Sequence, residues 1–354
     1  MTDTSLPPNA PMTNGNVAPG HGEADVSSHT DNTDTTTPWP PLQDICAMIN
    51  DQVNDFLATS PPDEVTKRTQ EQTKIALEVI SKALEDYEFG TLSLSYNGGK
   101  DCLVLLILYL AVMHTHYTRP SSRRKQDQQE PEQNPTSKSP SKGFPQSIPA
   151  IYAKPPDPFP AVTEFVEYSS KLYHLDLTHI STNPGPQPRE RSHSNPPLRH
   201  TSLPALSDLD RLEHEIAAPK PIISFRDAFA LYLTANPQVR AIFVGTRRTD
   251  PHGSRLTHFD PTDHNWPKFM RIHPIIDWHL SEIWCFLRSP HLKDPLTGGP
   301  LRYCPMYDEG YTSLGGINDT LKNPKLRYVD ENGVERYRPA YEMTQDEGER
   351  LGRE

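Results

Sequence analysis

The sequence contains few cysteines and no closely spaced pair of them. Only four occur in 354 residues, and none forms a CxxC motif. Zinc sites and disulfide frameworks, which depend on such spacing, are therefore not expected. The first residues combine no basic segment with an apolar one, so no secretory signal is predicted. The expectation is a reduced, cytoplasmic protein.

Long hydrophobic runs and an excess of positive charge are also absent. The longest uninterrupted apolar segment is 103–113, shorter than the roughly 20 residues of a membrane-spanning helix. We expect a buried helix there and no membrane partner. The formal net charge of −11 argues against binding to nucleic acid. An anionic ligand would need a local group of cations and backbone N–H groups.

Proline, by contrast, is abundant. Its 38 occurrences are about twice the number expected at the usual roughly 5%. The composition predicts a disordered tail at 1–38 and disordered inserts at about 117–147 and 181–210. No internal repeat is found, and the remainder of 39–354 is expected to fold as a single domain.

Periodicity elsewhere predicts alternating strands and helices. Predicted helices cover 42–57, 63–87, Asp101–His116, Phe159–Ser170 and 224–235, and predicted strands cover Thr91–Tyr96, Ile148–Ala153, Leu172–Leu177 and 239–245. This alternation predicts an α/β fold with a mostly parallel, twisted sheet and helices on both of its faces.

The junction between the first strand and the third helix reads "SYNGGKDC" (Ser95–Cys102). Gly98 and Gly99 would let the backbone approach a phosphate, and Lys100 would add a mobile cation. A helix beginning here would direct unpaired N–H groups at the same point. The loop is neither a Walker A motif nor a GxGxxG fingerprint. An ordinary strand-to-helix turn is therefore an alternative that the loop alone leaves open.

This loop resembles that of the PAPS reductase-like, adenine nucleotide α-hydrolase superfamily, and specifically that of fungal-type FAD synthases (FMN adenylyltransferases). Further segments agree in the family's order: "IFVGTRRTDPHG" (Ile242–Gly253), "WPKFMRIHPIIDWHLSEIW" (Trp266–Trp284), "CPMYDEGYTSLGGINDT" (Cys304–Thr320) and "RPAYEMTQDEGERLGRE" (Arg338–Glu354). The resemblance implies a Rossmann-like fold with a C-terminal substrate-binding extension. It also implies Mg²⁺-dependent transfer of AMP from ATP to FMN, which forms FAD and pyrophosphate.

The resemblance implies roles for individual residues. The catalytic group is Asn97, Asp101, Arg350 and Arg353; the ATP and phosphate group is Ser95, Tyr96, Gly98, Gly99, Lys100 and Arg271; the FMN group is Gly245, Thr246, Arg247, Asp250 and Trp266. Asp101 would hold Mg²⁺ or orient the loop. Asp250 would accept hydrogen bonds from the isoalloxazine ring. Arg350 and Arg353, three residues apart, would share a helical face and clamp a polyphosphate.

Several of these residues also have structural explanations. At most one of Arg247 and Arg248 should face a ligand, and we expect Arg248 to be a surface charge. Asp277 would cap the helix that follows it. The tryptophans that flank this helix, Trp278 and Trp284, are expected in the core. Cys304 has no nearby histidine, and we expect a buried thiol.

Adenylyl transfer to FMN needs little acid–base chemistry, because the FMN phosphate is already an anionic nucleophile. The reaction needs in-line placement, reduced repulsion between two anions and stabilisation of the departing pyrophosphate. Asn97 would donate its amide to the α-phosphate. We therefore expect Asn97→Ala to lower turnover much more than ATP affinity.

Three alternatives remain at this point. A sulfonucleotide reductase would need a nucleophilic cysteine in the C-terminal region, and none follows Cys304. A non-catalytic flavin- or nucleotide-binding regulator would use the proline-rich inserts as docking sites. A scaffold protein would use the first loop as a turn only. The sequence identifies no protein partner, and a monomer is the expectation.

Overall fold

The computed structural model describes residues 39–119, 143–182 and 223–353. The predicted tail and most of both predicted inserts lie outside the described residues. At the N-terminal edge of each insert, a helix or strand continues into residues that the composition predicted to be disordered. The third helix continues to Thr118 and the third strand to Ser181.

Three helices form one layer: α1 (Leu42–Ala58), α2 (Glu64–Asp86) and α3 (Lys100–Thr118). The Asp63 carboxylate accepts a 2.7 Å hydrogen bond from the Thr66 N–H and caps α2, which agrees with the predicted start of this helix at 63. Within the described part of the chain, α3 alone has the length and apolar composition to cross a membrane. Twelve of its residues are buried, and it packs against α1 and α2. A core position explains its all-round apolar surface.

The central sheet has six strands in the order β3-β2-β1-β4-β6-β5. The strands are β1 (Leu92–Ser95), β2 (Ile148–Lys154), β3 (Leu175–Ser181), β4 (Ala241–Phe243), β5 (Phe259–Pro261) and β6 (Met270–Ile272). All neighbouring pairs are parallel except β5 and β6. The predicted mostly parallel α/β sheet is confirmed.

Both faces of this sheet are covered. Ala150 faces the large core formed by α1–α3, while its neighbour Ile151 belongs to a second cluster with Phe229 on the opposite face. This alternation follows from the two-residue period of a strand. The remaining helices are α4 (Pro160–Leu172), α5 (Phe225–Ala235) and α6 (Leu280–Leu287), and a separate hairpin comprises β7 (Arg327–Val329) and β8 (Glu335–Tyr337).

Parallel pairing brings the carboxyl ends of β1, β2, β3 and β4 to one edge of the sheet. Ligands of open α/β sheets bind in the crevice at this edge. The chain then returns to the edge near residue 353. The Leu321 N–H donates a 2.7 Å bond to the Gly352 carbonyl, and Thr320 pairs with Arg353 as an isolated bridge.

Candidate functional site

A cavity of about 180 Å³ lies at the carboxyl ends of three strands. Asn97 follows β1, Pro155 and Pro156 follow β2, and Thr182 follows β3; all four line the cavity. The opposite wall includes Leu314, Gly315, Gly316, Asp319 and Arg353. Larger depressions, among them one of about 440 Å³ between α2 and α6, are lined by none of the predicted site residues.

The two loop glycines have specific structural causes. Gly98 has φ +75°, and an added Cβ would lie 2.7 Å from the Val166 Cγ2 atom. Gly98 is thus required by its left-handed backbone and by its close approach to α4. The Asn97 Oδ1 atom accepts a 2.9 Å bond from the Gly99 N–H. Asn97 is itself exposed, and this bond leaves its amide NH₂ group for another acceptor.

Lys100 differs from the prediction. It is 2% exposed, and its Nζ lies 2.8 Å from Asp101 Oδ2 and 2.5 Å from Glu349 Oε1. The predicted mobile cation is wrong, because the C-terminal segment covers the beginning of α3. Burial by itself would lower the pKa of Lys100, but the charges of Asp101 and Glu349 raise it above its ordinary value.

The N–H groups at the start of α3 are also partly used. The Lys100 N–H donates a 2.9 Å bond to the Tyr307 hydroxyl, and the Gly99 N–H already bonds Asn97. These two donors would otherwise be among the unpaired groups of a helix N-terminus. The predicted cradle of free backbone amides is therefore smaller than the sequence indicated.

Arg247 lies at the centre of a buried charge network. Its guanidinium contacts the carboxylates of Asp101 (2.8 Å from Nε), Asp346 (3.0 Å from Nη1) and Glu349 (from Nη2). The residue is fully buried. Its predicted contact with the flavin gains no support, since the side chain is fully buried and each of its three nitrogens already lies beside a carboxylate.

Arg248, by contrast, is 42% exposed and lies 2.6 Å from Asp277. Its prediction as a surface charge is confirmed. The prediction that Asp277 caps the following helix is wrong, because α6 begins three residues later, at Leu280, and His279 is its N-cap.

Asp101 belongs to the same network. One oxygen contacts Arg247 and the other contacts Lys100. Burial alone would raise the pKa of Asp101, but the charges of Arg247 and Lys100 hold it below 3.8. Its place in the first turn of α3 also suits the helix dipole.

The predicted Mg²⁺ ligand does not fit this geometry. Both oxygens of Asp101 already contact cations. In the described residues, no group of three or more His, Cys, Asp or Glu side chains could hold a metal ion. Asp101 and the other described carboxylates therefore do not form a protein site for Mg²⁺.

Asp250 and Arg350 form a second, more exposed pair. Asp250 Oδ2 accepts a 2.8 Å bond from the Arg247 N–H, and Oδ1 lies 3.9 Å from Arg350 Nη1. Burial raises the pKa of Asp250, and the negative charge of Asp101 adds to this effect. The Arg350 side chain is 46% exposed.

Arg353 lines the cavity and lies 3.4 Å from Asp319 Oδ2. A Cβ added to Gly315 would meet the Arg353 guanidinium and the Asp319 carboxylate, so a larger residue there would have to displace these two side chains. The predicted shared helical face is wrong, because residues 347–352 form turns. Arg350 instead lies beside Asp250, whereas Arg353 lies beside Asp319 in the wall of the cavity.

Four other predicted residues are placed less favourably for ligand contact. Tyr96 is buried, and its hydroxyl donates a 2.8 Å bond to Ser169. Arg271 donates to the Pro261 carbonyl at the outer strand. Trp266 is 38% exposed, with its ring 5.9 Å from that of Phe229. Gly245 packs closely against α3, and an added Cβ would lie 3.0 Å from the Cys102 nitrogen.

Ser95 is the last residue of β1, and Thr246 lies in the loop that follows β4. Both residues are half-buried. Trp278 and Trp284 are 1% and 4% exposed, which confirms their predicted core positions. Cys304 is buried, as predicted, and burial raises its pKa to about 11.

Sequence reasoning missed three important residues: Glu349, Asp346 and Tyr307. Glu349 contacts Lys100 and Arg247, and Asp346 accepts a 2.8 Å bond from the Leu280 N–H. A signal was present, since Asp346 and Glu349 are acids in the segment Arg338–Glu354, whose arginines the resemblance had already assigned to the site. The hydrogen-bond and ion-pair partners of these three side chains lie 66 or more residues away in the sequence, so no local pattern could identify them.

Comparison with known proteins reveals one family and several relatives. Residues 91–322 match the phosphoadenosine phosphosulfate reductase domain. A probable FAD synthase of Schizosaccharomyces pombe is 31% identical over 86% of this chain and 87% of its own length. A flavin adenine dinucleotide synthase of Saccharomyces cerevisiae is 28% identical over 82% of this chain and 78% of its own length.

A solved structure shows the same fold. Candida glabrata FMN adenylyltransferase, in complex with FMN and the ATP analogue AMPCPP, aligns with a TM-score of 0.64. The alignment covers 89% of this chain and 97% of that one at 23% identity. The domain match ends at residue 322, so Asp346, Glu349, Arg350 and Arg353 lie beyond it.

Proposed function

Because the chain belongs to the phosphoadenosine phosphosulfate reductase domain family and to the FAD synthases, we propose that it transfers AMP from ATP to FMN. The products are FAD and pyrophosphate. Similarity to synthases over most of both chains supports this reaction. The supporting observation in the structure is the convergence of Asn97, Gly315 and Arg353 on one cavity at the carboxyl edge of the sheet.

The strand order separates two binding regions. The cavity lies over β1, β2 and β3, whereas the Asp250 loop follows β4 on the other side of β1. We assign ATP to the cavity, with its base among apolar side chains such as Ala153, Pro155 and Leu314. FMN lies towards Asp250. The two phosphate groups then meet near Asn97, since its loop follows the strand between the two regions.

The cavity's volume limits what it encloses. About 180 Å³ is less than the roughly 300–1,000 Å³ of sites that enclose a drug-sized ligand. The cavity therefore encloses part of the nucleotide, and the polyphosphate extends towards the exposed side. Arg350 and Arg353 are the basic site residues whose side chains are partly exposed there.

The mechanism follows from the available groups. The FMN phosphate attacks the α-phosphorus in line with the departing pyrophosphate, and no side chain removes a proton. The Asn97 NH₂ group donates to the reacting phosphate without adding charge. Arg350 and Arg353 reduce repulsion between the two anions and stabilise the leaving group, as positioned cations do in other phosphoryl transfers.

The reductase alternative loses support. Cys304 is the last cysteine of the sequence, and its thiol is buried with a raised pKa. A reactive cysteine requires an accessible thiolate.

A product assay tests the proposal. The purified chain is incubated with FMN and ATP in a Mg²⁺ buffer, flavins are separated by chromatography, and pyrophosphate is measured. We expect FAD and pyrophosphate in equal amounts, with label from [α-³²P]ATP in FAD. Riboflavin in place of FMN should give no product, because it has no phosphate nucleophile. FMN that is bound but unchanged would instead support a non-catalytic regulator.

A further inference from the structure

Glu349 joins the C-terminal segment, defined here as residues 343–353, to the first loop of the site. Its carboxylate is buried and contacts Lys100 Nζ at 2.5 Å and Arg247 Nη2. Lys100 opens α3, and Arg247 follows β4. One side chain therefore connects the segment to the two strand-end loops that face the two proposed substrates.

The backbone of Glu349 is held as well. Its carbonyl accepts bonds from the Thr312 hydroxyl and, at 3.2 Å, from Asn323 Nδ2. Its N–H donates a 3.1 Å bond to the Asp346 carbonyl. Thr312 and Asn323 are themselves buried. With both its side chain and its backbone fixed, Glu349 is the best-attached residue of the segment.

Arg350 and Arg353 depend on this attachment. Arg350 is the next residue, and its only ion pair among the described residues is a long one of 3.9 Å to Asp250. Arg353 has one pair of 3.4 Å to Asp319. Neither contact would hold a partly exposed side chain firmly, because exposed pairs contribute little.

The charges around Lys100 argue against a direct role of this residue in binding ATP. Two carboxylates, those of Asp101 and Glu349, contact its single ammonium group. A compensated and buried cation offers little net attraction to a polyphosphate. Lys100 is better explained as a partner for Glu349 than as a ligand for ATP.

We propose that Glu349 is a positioning residue. Acting through Lys100 and Arg247, it holds the C-terminal segment against the first loop and so places Arg350 and Arg353 at the reacting phosphates. The effect on catalysis rests on the proposed adenylyl transfer, whereas the attachment of the segment does not.

The first test measures attachment without any substrate. Glu349→Gln keeps the size of the side chain and removes its charge. Glu347→Gln is the matched control, since it makes the same change at an exposed residue two positions away. We expect amide hydrogen exchange in 343–353 to accelerate by about tenfold or more in Glu349→Gln and by less than about twofold in the control. Unchanged exchange in Glu349→Gln would overturn the inference.

The second test separates positioning from general destabilisation. Glu349→Gln should lower kcat for FAD formation by about 30-fold, with the KM for ATP changed by less than about threefold. In an Arg350→Ala/Arg353→Ala background, the same substitution should lower kcat by less than about threefold, because the groups it positions are gone. An undiminished effect in that background would also overturn the inference.

The two failures are distinguishable. If the wild-type chain makes no FAD, the proposed function fails, and hydrogen exchange alone decides whether Glu349 attaches the segment. If FAD forms and exchange is unaffected by Glu349→Gln, the function stands and the positioning role fails.

Discussion

The site contains two pairs of basic residues with opposite environments. Lys100 and Arg247 are buried and contact carboxylates of the protein itself. Arg350, beside Asp250, and Arg353, in the wall of the cavity, are partly exposed. All four stand in motifs that resemble those of FAD synthases, yet only the second pair is placed to meet a ligand.

This difference shows that one set of motifs can contain two kinds of basic residue, one paired within the protein and one partly exposed. A buried ion pair is costly to form and costly to break, because removal of one partner leaves the other uncompensated. The buried pair therefore determines where loops lie. The exposed pair makes only weak contacts in the free protein, which under the proposed function are replaced by contacts with substrate charges.

The largest expected effect tests the buried pair. Arg247→Met should lower the free energy of unfolding by about 3–5 kcal/mol, because it leaves buried carboxylates without their partner. Arg248→Met is the control and should change it by less than about 1 kcal/mol, since its pair with Asp277 is exposed. Urea denaturation measures both. A stable Arg247→Met variant with a raised KM for FMN would show that Arg247 binds the flavin after all.

The next effect concerns the exposed side of the site. Asn97→Ala should lower kcat by about 10²-fold, the effect of removing one positioned donor at a reacting oxyanion, and change the KM for ATP little. Asn97→Asp retains the oxygen that accepts from the Gly99 N–H but lacks the NH₂ group. It should fold normally and be equally slow. Wild-type turnover in either variant would dismiss the role of Asn97.

The sequence predicted the fold well because its signals are local. The apolar helix α3 and the capped start of α2 at Asp63 depend on neighbouring residues, and so does the strand before Asn97. Predictions failed where elements are short. The three residues of β6 carry too little periodicity to identify a strand, and the third strand was placed three residues early.

The part of the site that was predicted also depends on local sequence signals. Gly98 and Asn97 lie at a strand-to-helix junction that any reading of the sequence would locate. The burial of Lys100 depends on Glu349, 249 residues later, and the bond from its N–H depends on Tyr307. Contacts between distant segments leave no local periodicity, so the sequence could name these residues but not their environment.

A smaller effect on stability is expected from the hydrogen bond at the start of α3. Tyr307→Phe removes the acceptor for the Lys100 N–H and should lower the free energy of unfolding by about 1–3 kcal/mol, the cost of an unpaired buried donor. Chemical denaturation measures this change. Tyr337 is half-buried, but the bond that its hydroxyl donates to Glu335 is exposed, so Tyr337→Phe provides the control. Equal stability of wild type and Tyr307→Phe would show that water or another group replaces the bond.

The smallest effect is a dependence on pH. The pKa of Asp250 is raised above 3.8, so the folded chain holds its proton more tightly than the unfolded chain does. Its contribution to stability therefore falls as pH rises from 3.8 through the raised pKa. Asp250→Asn should lose less stability than wild type over this interval, whereas Asp263→Asn, at an exposed residue, should follow wild type. Parallel curves for all three proteins would contradict the raised pKa.

A crystal structure with FMN and a non-hydrolysable ATP analogue tests the contrast between the two basic pairs most directly. We expect the triphosphate within about 3 Å of the Asn97 amide and the Arg353 guanidinium, at hydrogen-bond distance, with Lys100 still bonded to Glu349. Phosphates bound to Lys100, or a nucleotide remote from Asn97, would contradict the account.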